Sequence, residues 1–365
     1  MKLVEIVEGR TKLLVPEESL KHHQPPKQPV FFNPNARISR DIAILAYKAF
    51  NGKVLLDALG GIGVRGIRAK NEVGIEAYIN DINPNAIELA KKIAEINNIE
   101  CMFSNEEANK FLLSVNRGDI VELDPFGTPA YYIDNALRAV KDQGMICLTA
   151  TDTPVLQGLH NRVAERRYYG RSLRVEYSNE LALRLLLGLL ARVAGRLDLA
   201  IKPLFVHSIR NHMRVYAKIT VSSTEADKML DSLGLLYHCF RCNNRGIDEY
   251  CKYCNKSMSK AGALWNDNIF DKQFIEKMLN AYNQTFDKYC KKILLIAKDE
   301  LDIPLYYALD GISKRLKIAP PKLDKIIQLL KDNGFQASRT SLMLNGFKTD
   351  ADYHQIINII GNQYR

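Results

Sequence analysis

The sequence predicts an α/β protein, with a Rossmann-like parallel sheet covered by helices and a smaller α+β part after it. Three observations predict this. From Lys53 onward short β-branched runs alternate with amphipathic runs; a Gly-rich loop, DALGGIGVRG at 57–66, separates the first run from the first helix; and two long apolar runs, LDLAIKPLFVHSI and MRVYAKITVSS, come last. Alternation of this kind builds a parallel sheet, because parallel strands need a crossover that a helix supplies. The link IRNH between the last two runs is short enough to make them an antiparallel pair closing the sheet.

Taken in order, KVLLDA is the first strand and a helix runs to about Val73. IEAYIN is the second strand, and NPNAIELAKKIAEINN is the next helix. ECMFS, a helix near 106–115, DIVELD, a helix near 130–141 and GMICLTAT continue the pattern. A basic irregular stretch, HNRVAERRYYGRSLRVEY, leads into the helix NELALRLLLGLLARVAGRL and the closing pair. The text turns polar and helical around Ser222 to Asp231, which predicts domains 1–221 and 222–365. The second contains a Cys cluster at 239–254 and a long helical run from about Asp271 to Lys298. Its end, 299–365, reads as a winged-helix-like unit. There, one helix precedes a second that Pro320 and Pro321 open and Gly334 stops, and the wing FQASRTSLMLNGFKTD turns at Asn345-Gly346.

A chain of 365 residues exceeds what one core usually supports, in keeping with two domains. The formal net charge of +10 favours a polyanionic partner, since Lys and Arg beside phosphates release condensed counterions. Four of the seven Cys fall within 239–254, which is not a secreted disulfide framework in a chain this long. The start MKLVEIVEGRTKLLVP lacks the order of a signal peptide, and Arg184 and Arg192 interrupt the richest apolar stretch. A cytoplasmic protein that stays off membranes is the expectation.

Chemistry enters at three motifs. Gly60, Gly61, Gly63 and Gly66 follow a strand and open a helix, and Asp81 ends the next strand 18 residues after Gly63. Such glycines let a ligand approach the backbone, and an acid at that distance binds ribose hydroxyls. This suits NAD as well as S-adenosylmethionine. LDPFG then ends the fourth strand, at the carboxyl edge where open sheets bind ligands. If the Asp124 carboxylate and the Pro125 carbonyl each accept a hydrogen bond from an exocyclic base amine, its lone pair is freed from the ring and aimed at a methyl donor. Phe126 offers a stacking face, and Asp124 takes the proton directly or through water. An antiparallel strand at the end of the sheet is the habit of the methyltransferase version of this fold. The third motif pairs CFRC with CKYC. The thiolates of Cys239, Cys242, Cys251 and Cys254 at this spacing can close tetrahedrally on a structural Zn²⁺.

DALGGIGVRGIR, NDINPNAIELAKKIAEINN, LDPFGTP, LTATDTPVLQG and PLYYALDGISKRLK, in this order over nearly the whole chain, resemble the tRNA (guanine-26-N2)-dimethyltransferase family. The resemblance implies a class I methyltransferase that moves two methyl groups from S-adenosylmethionine to N2 of guanine 26 of tRNA. It implies cofactor contacts at Arg40, Arg65, Asp81, Glu107 and Ala108, with Asp81 on the ribose and Glu107 and Ala108 bordering the adenine. It also implies a C-terminal tRNA-binding domain. Gln157 stands where the family pattern often has Cys, so no thiol role transfers there. His207 and His212 flank a strand turn and read as structural, with a base-pocket role open to His212. Basic residues between Arg162 and Arg174, and again from Arg241 to Lys256, suit phosphate tracking on a folded RNA. Nothing points to an obligatory protein partner, and a monomer is the simplest expectation. The rivals are an exocyclic-amine methyltransferase for another RNA or DNA base, an NAD(P) oxidoreductase, and a non-catalytic RNA-binding protein.

Overall fold

A computed structural model describes residues 1–364. An antiparallel hairpin of β1 (Leu3–Glu8) and β2 (Thr11–Pro16) opens the chain, followed by α1 (Glu17–Lys21), an irregular strap over 22–33, and α2 (Arg37–Phe50). The sheet part then runs β3 (Val54–Asp57), α3 (Val64–Val73), β4 (Glu76–Asn80), α4 (Pro84–Ile96), β5 (Met102–Ser104), α5 (Ala108–Ser114), β6 (Gly118–Leu123), α6 (Ile133–Ala139) and β7 (Val140–Ala150). After it come α7 (Thr153–Leu156), α8 (Asn161–Tyr168), α9 (Ser178–Gly195), β8 (Leu199–Ile209) and β9 (His212–Val221).

These strands form one sheet in the order β5-β4-β3-β6-β7-β9-β8, parallel throughout except for β9, which pairs antiparallel with both neighbours. The α/β expectation and the antiparallel closing strand are both present. The order reverses between β3 and β6, so the loops after Asp57 and Leu123 open a crevice at the carboxyl edge. Helix α3 packs tightly there: a methyl group at Gly66 would lie 2.5 Å from Ile79 of β4.

The remaining elements are α10 (Ser223–Leu230), β10 (Leu233–His238), β11 (Arg245–Gly246), β12 (Ser259–Trp265), α11 (Lys272–Ala281), α12 (Lys288–Asp299), β13 (Tyr307–Ala308), α13 (Leu309–Leu316), α14 (Leu323–Asp332), β14 (Ala337–Arg339), β15 (Gly346–Thr349) and α15 (Tyr353–Tyr364). The helix expected over 271–298 is two helices. Asn283 accepts from both the amide and the hydroxyl of Thr285, making an Asx turn, and Asp287 caps a new helix through the Tyr289 N–H. The wing pairs β14 with β15, but Asn345-Gly346 is not its two-residue turn. Gly346 already belongs to β15, and Glu300 holds the loop before it by accepting from Thr340 and Ser341. Helix α6 is shorter than expected, because β7 starts at Val140 directly after it.

One hydrophobic core crosses residue 222. It joins Leu183 and Leu190 of α9 to Ala261 and Leu264 of β12, and Leu45 of α2 to Ile275 and Met278 of α11. Helix α9 lies so close to β12 that a methyl group at Gly188 would sit 2.9 Å from the Ala263 carbonyl. The buried Lys348 of β15 also bonds Glu180 of α9 at 3.3 Å and Glu300 at 3.1 Å.

Candidate active site

The motif residues gather at the carboxyl edge in the order of their strands: Glu107 and Ala108 after β5, Asp81 after β4, the Gly-rich loop after β3, and Asp124 to Gly127 after β6. Asn80 ties three of these loops together. Its amide donates to the Ala58 and Glu106 carbonyls at 3.0 Å each, and its Oδ1 accepts from the Glu106 N–H at 3.0 Å. Asp81 accepts from the Gly61 N–H at 2.8 Å and the Asn83 N–H at 2.9 Å, which fixes its half-exposed carboxylate over the loop. Gly61 itself has φ +56° and open space where a Cβ would stand, so the loop presents bare backbone to the crevice.

Arg65, on the first turn of α3, forms an ion pair with Asp124. Beneath them lies a fully buried cluster on β6, β7 and β9. Arg214 donates to Glu122 and to Thr149, each at 2.5 Å, and to the Tyr216 hydroxyl at 2.8 Å, while Tyr47 donates to Glu122 at 2.7 Å. The cluster sets the protonation of the edge. Burial alone would raise the Asp124 pKa, but Arg65, then Arg214 and His212, outweigh it and hold the carboxyl at about 2. Asp57, buried under the Gly-rich loop, moves the other way, to about 7, through burial first and the negative Glu122 second. Arg65 keeps two buried donors, Nε and Nη2, without a partner.

The Asp-Pro-Phe-Gly turn is clamped by the strand beside it. Gly127 donates to the Thr151 hydroxyl at 2.8 Å, and Thr151 returns its N–H to the Gly127 carbonyl at 2.7 Å. Asp152 accepts the Tyr168 hydroxyl at 2.5 Å and pairs with Arg167 at 3.3 Å, which ties α8 to this edge. Pro125 is buried, and no backbone N–H of the described residues donates to its carbonyl. Phe126 is 63% exposed, with Phe31 edge-on at 4.8 Å and the Lys27 ammonium 4.9 Å from its ring centroid. Phe31 and Lys27 escaped the sequence reading; their signal was the FFNP run after a Pro-rich strap, which carries no catalytic residue type.

Two expected residues have other engagements. Glu107 caps α5, accepting from the Asn109 and Lys110 N–H groups at 2.9 and 3.1 Å, with Ala108 buried behind it. Arg40 is buried. It donates to Glu8 through Nε at 2.8 Å and Nη2 at 2.5 Å, and to the Asn33 carbonyl through Nη1 at 2.9 Å, so it anchors the hairpin and the strap. His207 is buried with both ring nitrogens unpartnered, and burial, then Arg214, pushes its pKa far down. Burial also lowers the His212 pKa, although Asp124 pulls it upward.

The four cysteines of the knuckles converge, their sulfurs all within 4.8 Å of one another. The two CxxC turns repeat one geometry. Asn243 and Asn255 follow the second Cys of each pair at φ +65° and +50°, and each donates its N–H to the first Cys carbonyl at 2.8 Å. Four sulfurs with Zn–S bonds of about 2.3 Å stand roughly 3.8 Å apart, so the donor set fits a closed tetrahedral site.

In this sheet Asp124 ends the strand beside the one that carries the Gly-rich turn, and β9 runs against the rest. That combination belongs to the class I S-adenosylmethionine-dependent methyltransferases. Within the class, the model for N2,N2-dimethylguanosine tRNA methyltransferases matches residues 9–361, and this chain belongs to that family. It is 36% identical to the tRNA (guanine(26)-N(2))-dimethyltransferase of Methanosarcina barkeri over 97% of each chain, and 32% identical to that of Pyrococcus abyssi over 99% of this chain and 100% of the other. A complex of Trm1 from Pyrococcus horikoshii with S-adenosyl-L-methionine superposes at TM-score 0.87 with 31% identity, covering 98% of this chain and 99% of that one. Among the described residues no helix is long and apolar enough to cross a membrane.

Proposed function

We propose that this protein methylates N2 of guanine 26 of tRNA twice, taking each methyl group from S-adenosylmethionine. The observation that carries the reading is the tip of β6: an ionised Asp124, a free Pro125 carbonyl and an exposed Phe126 ring in one clamped turn.

The crevice fits the cofactor. Arg65 has two unpartnered buried donors for a carboxylate, Asp81 keeps lone pairs for ribose hydroxyls, and the bare Gly61 backbone admits a ligand. Glu107 and Ala108 border the adenine, and Arg40 adds the two N–H bonds that Glu8 and Asn33 leave over from five. The bound cofactor supplies an electrophilic methyl on a sulfonium.

Guanine 26 must leave its stack to reach the edge, and Phe126, flanked by Phe31, receives its face. Asp124 and Pro125 each accept one N2 hydrogen, turning the nitrogen toward tetrahedral geometry with its lone pair facing the crevice. Asp124 balances the positive charge that nitrogen gains as its new bond forms. A carboxylate held at about 2 does not keep the proton, which passes to water.

Residues 222–365 form the tRNA-binding part, their zinc knuckle and winged-helix-like end locked onto the catalytic part by the shared core. The zinc is structural, since four thiolates leave no open coordination position. Cysteines kept as metal-binding thiolates rather than disulfides support a cytoplasmic protein. Unmodified tRNA incubated with pure protein and S-adenosylmethionine should yield N2,N2-dimethylguanosine on mass analysis of its nucleosides. Asp124→Ala should cut transfer by at least about 10²-fold while tRNA affinity stays near wild type. Persistent transfer in that variant rules the mechanism out.

A further inference from the structure

Away from the methyl-transfer edge, a small cleft of about 170 Å³ opens where the approach to α9, the first zinc knuckle and β13 meet. We infer that this cleft holds an unpaired nucleotide of the tRNA, its base stacked on Phe240. The inference rests on the tRNA reading above and adds a second place where the RNA is gripped.

Phe240 is 57% exposed on a knuckle whose cysteines are almost all buried. Its supporting contact is His238, edge-on with ring centroids 4.7 Å apart, so its outer face is free. His238 is only 5% exposed, yet just one of its ring nitrogens is engaged, with the Tyr177 hydroxyl at 2.8 Å. The other has no hydrogen-bond partner among the described residues and belongs to a ring that lines the cleft. A flat aromatic face beside an unsatisfied hydrogen-bonding group is how unstacked bases are taken up.

The walls are set in advance. Arg245 lies 3.7 Å from the Tyr307 ring centroid and 4.9 Å from that of Tyr177, and it donates to the Tyr306 and Leu305 carbonyls at 2.6 and 3.0 Å. Asn243 reaches the Tyr353 hydroxyl at 3.2 Å, which pins the knuckle to the winged-helix-like end. Stacked on Tyr307 and tied to two main-chain carbonyls, Arg245 shapes the cleft rather than greeting a phosphate. That task falls to Arg174 at the rim, which is exposed and has no carboxylate partner among the described residues. Exposed Arg162 and Arg166 stand on α8, the helix that Tyr168 and Arg167 tie to Asp152 beside the methyl-transfer edge. A backbone lying along this strip would place one nucleotide near Phe240 while another enters the catalytic crevice.

The test compares wild type with F240A, F240L and F240Y, measuring tRNA affinity by filter binding, cofactor affinity by calorimetry and zinc content. The expected result is a roughly 5- to 100-fold loss of tRNA affinity in F240A and F240L, with F240Y close to wild type. Cofactor affinity and zinc content stay unchanged. Wild-type protein irradiated with tRNA carrying 4-thiouridine should cross-link through the peptide containing Phe240, and to an unpaired nucleotide. This second measurement decides the matter if a variant loses its zinc. Wild-type tRNA affinity in both F240A and F240L overturns the cleft proposal, and Phe240 then faces a protein instead. A wild-type protein that neither binds nor methylates tRNA overturns the function itself.

Discussion

Replacing Arg65 by Met removes the cation that does most to keep Asp124 ionised, and its effect can be worked from the edge geometry. Asp124 falls from an ordinary 3.8 to about 2 because Arg65 foremost, then Arg214 and His212, outweigh burial. At about 1.36 kcal/mol per pKa unit this linkage amounts to roughly 2.5 kcal/mol. The pKa is depressed in the fold, so this stability is present above about pH 4 and is lost as pH falls through 2. Without Arg65, burial gains and the pKa rises. The side chains are 10% and 23% exposed, which argues for the lower end of the about 3–5 kcal/mol cost of breaking a buried pair. The variant should therefore lose about 2–3 kcal/mol at pH 7 and less at pH 4, where its own Asp124 is protonated and no longer an unpaired buried charge. Urea denaturation at the two pH values measures this. Single-turnover methyl transfer at saturating cofactor, followed from pH 4.5 to 9, reads the second consequence, an acid limb displaced upward. A stability gap equal at both pH values, with acid limbs that superimpose, would refute the account.

Asp57→Asn should flatten the pH dependence of stability. The buried Asp57, raised to about 7 by burial and then Glu122, contributes fully below about pH 4 and loses that contribution as pH rises through 7, up to roughly 4 kcal/mol. The variant should thus gain on wild type between pH 5 and pH 8 in urea titrations, and a constant difference counts against the shift. Lys348→Met takes the cation from Glu300 and leaves Glu180 with Arg184 alone, 2.8 Å away, and should cost about 3 kcal/mol, read by chemical denaturation; a loss below about 1 kcal/mol would mean the charges are not coupled as the distances imply. Removing zinc with a chelator should release one ion per chain, lower the melting temperature and weaken tRNA binding, while cofactor affinity measured by calorimetry holds. Loss of cofactor affinity in step with the metal would place the knuckle in the catalytic crevice instead.

The parts of the fold legible in the sequence are those governed by local pattern. Alternating apolar runs give β3 to β7 within a few residues, and the short link before His212 gives the antiparallel strand. The placement of candidate residues was legible where residue type and strand end coincide, as at Asp81 and Asp124, and the paired CxxC spacing gave the convergence of the four cysteines. What escaped depends on partners distant in the chain. Nothing near Arg65 announces that Asp124 lies across the edge, 59 residues on, nor near Arg40 that Glu8 of a preceding hairpin occupies it. Phe31 reads as one more apolar residue until the strap brings it to Phe126. The break in the 271–298 helix hangs on side-chain hydrogen bonds of Asn283 and Asp287, which compete with apolar spacing that continues across them.

A site that methylates one nitrogen twice has to regain its starting protonation state in between. Each transfer leaves a cationic nitrogen, and restoring a neutral amine releases one proton. Were Asp124 an ordinary buried carboxyl, with burial unopposed, the first proton could remain on it, and the second amine would meet a donor where it needs an acceptor. Arg65 and Arg214 prevent this: held at about 2, the carboxyl stays ionised at pH 7. The cost is a weaker base, and the cation left when N2 gains its methyl group is acidic enough to give its proton to water. The second round then differs from the first in one respect. On the proposed mechanism the monomethylated nitrogen has a single hydrogen left, so only one of Asp124 and Pro125 would hold it, and alignment of the lone pair would shift onto the rings. In that mechanism Phe126, 63% exposed with Phe31 edge-on and Lys27 over its ring, is what holds the base when one of the two hydrogen bonds is gone.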